Sequence, residues 1–273
     1  SSLVPLTGTA FGLHAAMAPL KAAWDDGALS VVLNTGTLFA PLTKALYTSR
    51  PDLRPLNLMS HEDQQNQWQG MRTRAVNNNG FMGRINDRAP AADLPPLISI
   101  AGSNLALIGD RTAPLILPSS GTMVRNGFNA ASTDAAVKAR QAALSVFADA
   151  SSYGAVTDLT GKGMSSAYAQ AVQANSIVTS TTSAVDKFFV NPTTGAALTS
   201  DISRQLLRAA RMIEARNTLG HAKQTFFVSQ GGYDTHTGQL SAHNGLYGDL
   251  ANALAAFYNA MKALGLQDNV TAF

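Results

Sequence analysis

The stretch best suited to chemistry is "FFVSQGGYDTHTGQ", Phe226 to Gln239. An apolar run fit for a buried strand breaks at Gly231 and Gly232, and Asp234 and His236 follow, two positions apart. In an open α/β sheet, ligands bind beyond the carboxyl ends of the strands. Glycines at such an end allow positive φ and a close approach of backbone to ligand. A carboxylate and an imidazole are standard donors for Zn2+, Mn2+ or a similar ion. Two donors do not complete a site, because zinc generally takes three or four protein ligands. His243 shares a helix face with Leu246 and Leu250 and can point back at the same mouth, as can Gln239. The bland alternative is an Asx turn leading into a helix with no ion, with His243 a satisfied boundary histidine.

A second constellation is "SHEDQQNQW", which opens at Ser60. Ser60 stands three residues before Asp63, a capping-box-like helix start with a carboxylate near the positive end. Its hydroxyl fits a plain N-cap; it also fits a metal-activated nucleophile. His61, Asp63 and Gln64 would then be supporting or substrate-binding groups. The Gln and Asn side chains fit either a sugar or phosphate contact or a solvated face.

The elements that must position these residues alternate between helix and strand. Leu13, Met17, Leu20 and Trp24 lie at helical spacing around Pro19 and stop at Asp25-Asp26-Gly27. "ALSVVLN", Ala28 to Asn34, reads as a short buried strand, as do segments within Pro95–Gly102 and Ala113–Gly121. Ile202, Leu206, Ala210 and Ile213 form the stripe of a helix capped by Ser200, with Gly220 as its stop. After the strand Thr225–Ser229 comes a long helix striped by Leu246, Leu250, Leu254, Phe257, Met261 and Leu264, stopped by Gly265. "NVTAF", Asn269 to Phe273, reads as the start of another strand. The pattern predicts an α/β fold. It reads as one domain over residues 1–273, with an Ala/Ser/Thr-rich helical insertion or cap at 130–200.

Composition removes several classes. The 273 residues contain no cysteine, which excludes disulfides, thiolate zinc sites and cysteine nucleophiles. With 20 Lys and Arg against 17 Asp and Glu, and no basic block, nucleic acid is not an expected partner. No apolar run is long enough to span a bilayer, and these residues carry no signal-peptide pattern, which says nothing about a precursor. "TGKGMSS" lacks the first glycine of a P-loop, and there is no nucleophile elbow or H-E-x-x-H.

Taken together, "LVPLTGTAFGLHAAMAPLKAAWDDGALSVVLNTGTL", "MSHEDQQNQWQ", "GFMGRI", "FFVSQGGYDTHTGQL" and "LANALAAFYNAMKALGLQDNVTAF" resemble, in that order, the bacterial domain of unknown function 1501 family. The resemblance implies an exported protein, often carrying a twin-arginine signal, in the periplasm or outside the cell. It implies a three-layer αβα sandwich of the alkaline phosphatase and sulfatase type with a metal site at the strand ends. It favours Asp234 and His236 as ligands for a divalent ion (Zn, Mn, Ca or Mg). Members usually carry a Gly-Gly-Asn-Asp-type strand end before this region, and a Ser-Glu or Ser-Asp-Phe-Gly-Arg strand end and an Asp-His-Gly turn after it. This chain has none of these, so the expected fold is incomplete at both ends. The implied activity is hydrolysis of a phosphate or sulfate ester of a small molecule or glycan. Ser60 is the leading nucleophile, with Thr37 and Thr43 behind it. The alternatives are a non-catalytic surface or assembly protein, with a homo-oligomer as its expected form, and a carbohydrate-binding module built on the Gln/Asn cluster.

Overall fold

A computed structural model describes residues 3–33, 35–89, 92–124, 132–148 and 154–273. Asn34, at the end of the first expected strand, and residues 130–131 and 149–153 of the expected insertion lie outside the described residues. The described chain divides into two compact units, residues 1–119 with 183–273, and residues 120–182. Residues 183–200 thus fall with the first unit.

The first unit is mixed α/β. Its sheet is parallel and three-stranded, in the order β4 (Leu115–Ile116), β3 (Leu97–Ser99), β5 (Thr225–Phe227). Ile98 pairs with both Leu115 and Phe226. The central strand is fully covered: Leu97, Ile98 and Ser99 are each at most 2% exposed. This is the burial expected of a parallel strand enclosed on both faces.

A two-stranded antiparallel ribbon, β1 (Val4–Pro5) with β2 (Gly12–Leu13), precedes it. A 3-10 segment (Ala15–Leu20) then runs into α1 (Lys21–Asp25). Leu6, Leu13 and Leu20 from this region form a core with Ala251, against which Met17, Trp24 and Leu254 pack. The Leu13-Met17-Leu20-Trp24 stripe therefore faces one core, although Pro19 sits in 3-10 and not α backbone.

Ala28–Leu33 forms no strand, and Val31, Val32 and Leu33 are 47%, 73% and 59% exposed. The expected buried strand is corrected on this point: an apolar run needs a laddered neighbour to be enclosed, and none is present among the described residues. Asn269–Phe273 likewise forms no strand.

Helices α2 (Lys44–Ser49), α3 (His61–Gly70) and α4 (Phe81–Asn86) follow. α3 is capped by Ser60, whose Oγ accepts from Asp63 N at 3.3 Å. α4 lies so close to the 105–109 segment that a Cβ on Gly80 would overlap the Leu105 and Ala106 carbonyls, and one on Gly83 the Ile108 backbone. Gly80 N also donates to Ile108 O at 2.7 Å.

The second unit holds α5 (Ala135–Ala148) and α6 (Ala155–Val178). Gly161 admits the Phe147 carbonyl. Asn175 takes both backbone groups of Met123, at 2.9 and 2.8 Å.

Returning to the first unit, α7 (Asp201–Glu214) buries Ile202, Leu206, Ala210 and Ile213, the predicted stripe. A 3-10 turn (Ala215–Asn217) follows, and Gly220 comes after it at φ 67°. α8 (Gln239–Ala263) buries Ala251, Ala253, Ala256, Phe257, Ala260 and Met261. Its predicted leucines 246, 250, 254 and 264 are only half-buried. Small alanines let neighbouring segments approach the helix axis, so the closest contacts fall beside the leucine stripe. α8 is also tied to α1: Asp26 accepts from Tyr258 Oη at 2.8 Å and Lys262 Nζ at 2.7 Å.

Two outcomes follow. Gly83→Ala is expected to cost about 1–3 kcal/mol through overlap with backbone, read from the urea midpoint; an unchanged midpoint would contradict the close approach. The Asp26 tether carries a pH signature. Lys262, then Tyr258, hold the Asp26 carboxyl below its ordinary 3.8, while Asp26 raises Tyr258 and Lys262 above 10.0 and 10.5. The tether therefore contributes fully above the ordinary carboxylate value and fades as pH falls through the lowered one. On the alkaline side it fades as pH rises through the raised pair. Asp26→Asn is expected to lower Tm at pH 7, with the gap to wild type closing at low pH; a gap of constant size across pH 2–7 would refute the assignment.

Candidate functional site

The region beyond β5 is organised by side-chain amides. Gln205, 2% exposed on α7, donates to Ser229 O at 2.9 Å and accepts from Ser229 N at 2.8 Å. It acts as a strand neighbour where the ladder has ended. Its Nε2 also meets Asp201, whose carboxylate accepts from Ser119 Oγ at 2.7 Å just past β4. Ser119, Gln205 and Arg204 together hold Asp201 below the ordinary carboxylate range against the opposing effect of its desolvation.

One residue on, Gln230 donates to Leu246 O of α8 at 3.1 Å and accepts from Tyr233 Oη at 2.8 Å. Gly232 has φ 94°, with its α-carbon facing Leu246. Tyr233 is half-buried against α8; desolvation, then Tyr247 and Asp249, raise its phenol above 10.0. The Thr235 N–H closes a tight turn on Tyr233 O at 3.0 Å.

Asp234 and His236 project from this turn. Asp234 Oδ2 and His236 Nε2 are 3.4 Å apart, and the side chains are 66% and 88% exposed. Neither side chain makes a hydrogen bond among the described residues. A carboxylate oxygen and an imidazole nitrogen bound to one tetrahedral zinc, each roughly 2.0–2.2 Å from it, lie roughly 3.4 Å apart. The pair thus fits two corners of a coordination shell. Among the described residues no third His, Cys, Asp or Glu joins them. His243 turns back towards the loop but reaches Tyr233 O at 3.0 Å and Thr235 Oγ1 at 3.4 Å, not the pair itself. Gln239 opens α8 and is exposed.

Ser60 belongs to a different place. It lines an open cleft of about 630 Å³ with Tyr47, Arg54, Asn57, Met59 and Asp63. No hydrogen bond or ion pair joins Ser60, His61, Asp63 or Gln64 to Asp234 or His236 among the described residues. His61 is exposed. Thr43 caps α2, accepting from Leu46 N at 3.2 Å, and Thr37 Oγ1 is buried without a partner. Four of the amides after Ser60, on Gln64, Asn66, Gln67 and Gln69, are committed to backbone, and Gln65 is exposed. Gln64 and Gln67 donate to Leu58 O and Leu56 O. Asn66 pairs with Asn77, and Gln69 Oε1 accepts from Leu105 N and Ala106 N at 2.8 and 3.1 Å.

Spacing did not single out Gln205, Gln230, Tyr247 or His14. Gln205 carried a legible signal: an amide inside the apolar face of α7 needs a buried polar partner. His14 and Tyr247 carried none, since their ring contact joins distant parts of the chain.

Residues 8–273 match a family described as "Protein of unknown function (DUF1501)", and the chain belongs to that family. No curated protein and no solved structure matches it. Among the described residues no helix is long and apolar enough to cross a membrane.

Gln205→Ala is expected to cost about 1–3 kcal/mol, because it removes both hydrogen bonds to the Ser229 backbone and the amide that fills a buried position on α7. Thermal or urea unfolding measures it, and a loss under about 0.5 kcal/mol would refute the role.

Proposed function

We propose that this member of the DUF1501 family is an exported, metal-dependent hydrolase-like protein of the alkaline phosphatase and sulfatase superfamily, acting on phosphate or sulfate esters of a small molecule or glycan. The observation that carries the reading is the Asp234–His236 pair. It offers one hard and one borderline donor at chelating separation, past the carboxyl end of a parallel strand. Asp234 and His236 would hold the ion; its identity among Zn, Mn, Ca and Mg is not fixed by two donors. A bound divalent ion supplies Lewis-acid polarisation of the ester and a more acidic hydroxyl or water. Ser60 is the nucleophile proposed from the sequence resemblance; its Oγ accepts from Asp63 N in a separate cleft that no hydrogen bond or ion pair joins to the Asp234–His236 pair among the described residues, so the role requires an ester that reaches both. The export and superfamily parts of the proposal rest on the sequence resemblance.

A second reading, a non-catalytic surface or assembly protein, is favoured by one feature. Val146, Val156, Leu159 and Val172 on α5 and α6 are 53–81% exposed. Exposed apolar side chains on one helix pair favour association where they adjoin.

Calorimetric titration of Zn2+ and Mn2+ tests the first reading. Wild type is expected to bind, with Asp234→Ala and His236→Ala each weakening binding by more than about 100-fold, as loss of one of few protein ligands implies. Ser60→Asn keeps a helix cap but removes the hydroxyl, and is expected to abolish metal-supported turnover of p-nitrophenyl phosphate or sulfate. Metal uptake indifferent to both ligand changes would sink the assignment. A large homomeric assembly without turnover would favour the second reading.

A further inference from the structure

We propose that His243 is a positioning residue for the Asp234–His236 pair, acting through the backbone of the turn and touching neither donor. The proposal rests on the metal reading above. The carboxylate of Asp234 has His236 as its side-chain partner, so where it points is set by the backbone on either side of it. His243 grips both sides. Its Nε2 lies 3.0 Å from the carbonyl of Tyr233 and 3.4 Å from the hydroxyl of Thr235, the residues flanking Asp234. A carbonyl only accepts, so Nε2 carries the hydrogen and the neutral ring has its lone pair on Nδ1.

The Tyr233 carbonyl therefore takes two donors, the Thr235 amide that closes the turn and the His243 imidazole that ties the turn to α8. The imidazole cannot swing away easily. It packs edge-on against Tyr233 at 5.7 Å and Tyr247 at 5.4 Å, and Tyr247 is wedged in turn against Tyr233 at 5.9 Å and His14 at 5.2 Å. His243 and Tyr247 sit four residues apart on one face of α8, which stacks their rings over the loop. Gln230, bonded to Leu246 O and to Tyr233 Oη, fixes the other end of the same segment. The result is a turn held by a rigid helix while its two donors stay in solvent. A metal site needs such support, since groups that orient the ligands typically change affinity by 10–100-fold when lost.

The test compares His243→Phe, which keeps a ring against Tyr233 and Tyr247 but has no donor, with His243→Gln, which restores an N–H of similar reach. Two readouts are used: Zn2+ titration, and amide exchange of Thr235, whose N–H closes the turn on Tyr233 O, by NMR in metal-free protein. His243→Phe is expected to weaken Zn2+ binding by about 10–100-fold. It is also expected to speed exchange in the turn by about tenfold, the loss of one hydrogen bond, with exchange in α7 and β5 unchanged. His243→Gln is expected to recover most of both. Wild-type exchange and affinity in His243→Phe would overturn the proposal, and would leave the metal reading standing if Asp234→Ala still abolishes binding. Failure of wild type to bind Zn2+ or Mn2+ would overturn the metal reading instead, and the exchange comparison alone would then decide whether His243 fixes the turn. Global loosening in both variants would also overturn it, since His243 would then be a general packing residue.

Discussion

The structure depends on one constraint: a buried backbone N–H or C=O must find a partner. The strands of the parallel sheet are two or three residues long, so their ladders end almost as soon as they begin. Ile100 N reaches Phe227 O and Leu117 N reaches Ser99 O, and beyond these bonds no strand continues. Side-chain amides take over. Gln205 pairs with both groups of Ser229, Gln69 caps the Leu105–Leu107 turn, and the Asn66–Asn77 pair closes the loop after α3. Charged groups hold other loops: Asp87 accepts from Asp110 N, Arg111 N and Thr112 N, and Arg84 donates to Asn79 O and Gly70 O.

This explains which parts of the fold were legible. The α7 stripe could be read because Ile202, Leu206, Ala210 and Ile213 are large or small apolar residues at helical spacing with one face to bury. The burial of α8 was displaced from its leucines because close approach favours alanine, and an alanine says little about which face it serves. Residues 28–33 misled for another reason. Apolarity records what a segment would bury, not whether a neighbouring strand is there to enclose it. The Gln and Asn run after Ser60 had an obvious polar meaning and a hidden structural one, because the backbone groups it serves lie up to 37 residues away.

The candidate site divides along the same line. Asp234 and His236 were legible from type and spacing, since the chemistry of a carboxylate and an imidazole travels with the residues. What brings them to 3.4 Å was not. Tyr233 is placed by Gln230, Gln230 by Leu246, and His243 by two tyrosines, none of which carries a motif. Ser60 shows the opposite case. Its N-cap role was readable and is observed. A chemical role for the same hydroxyl depends on a cleft that forms only when Arg54, Asn57 and Tyr47 assemble around it.

The exposure of the pair is itself consistent with the physics of an ion site. Two donors without an ion, if buried, would bear the full cost of desolvation with only each other as compensation. Left in solvent, they keep their hydration and cost the fold little. Affinity then has to come from geometry, because a solvated pair gains little from a low dielectric. Geometry is what the half-buried inner side of the loop provides, where rotamers are locked by rings and the backbone is tied to a long helix. Donors outside and supports inside is therefore an arrangement in which a chain of low charge could carry the proposed ion-binding turn without weakening its core, with the hold on Tyr233 to Thr235 as the property the proposal depends on.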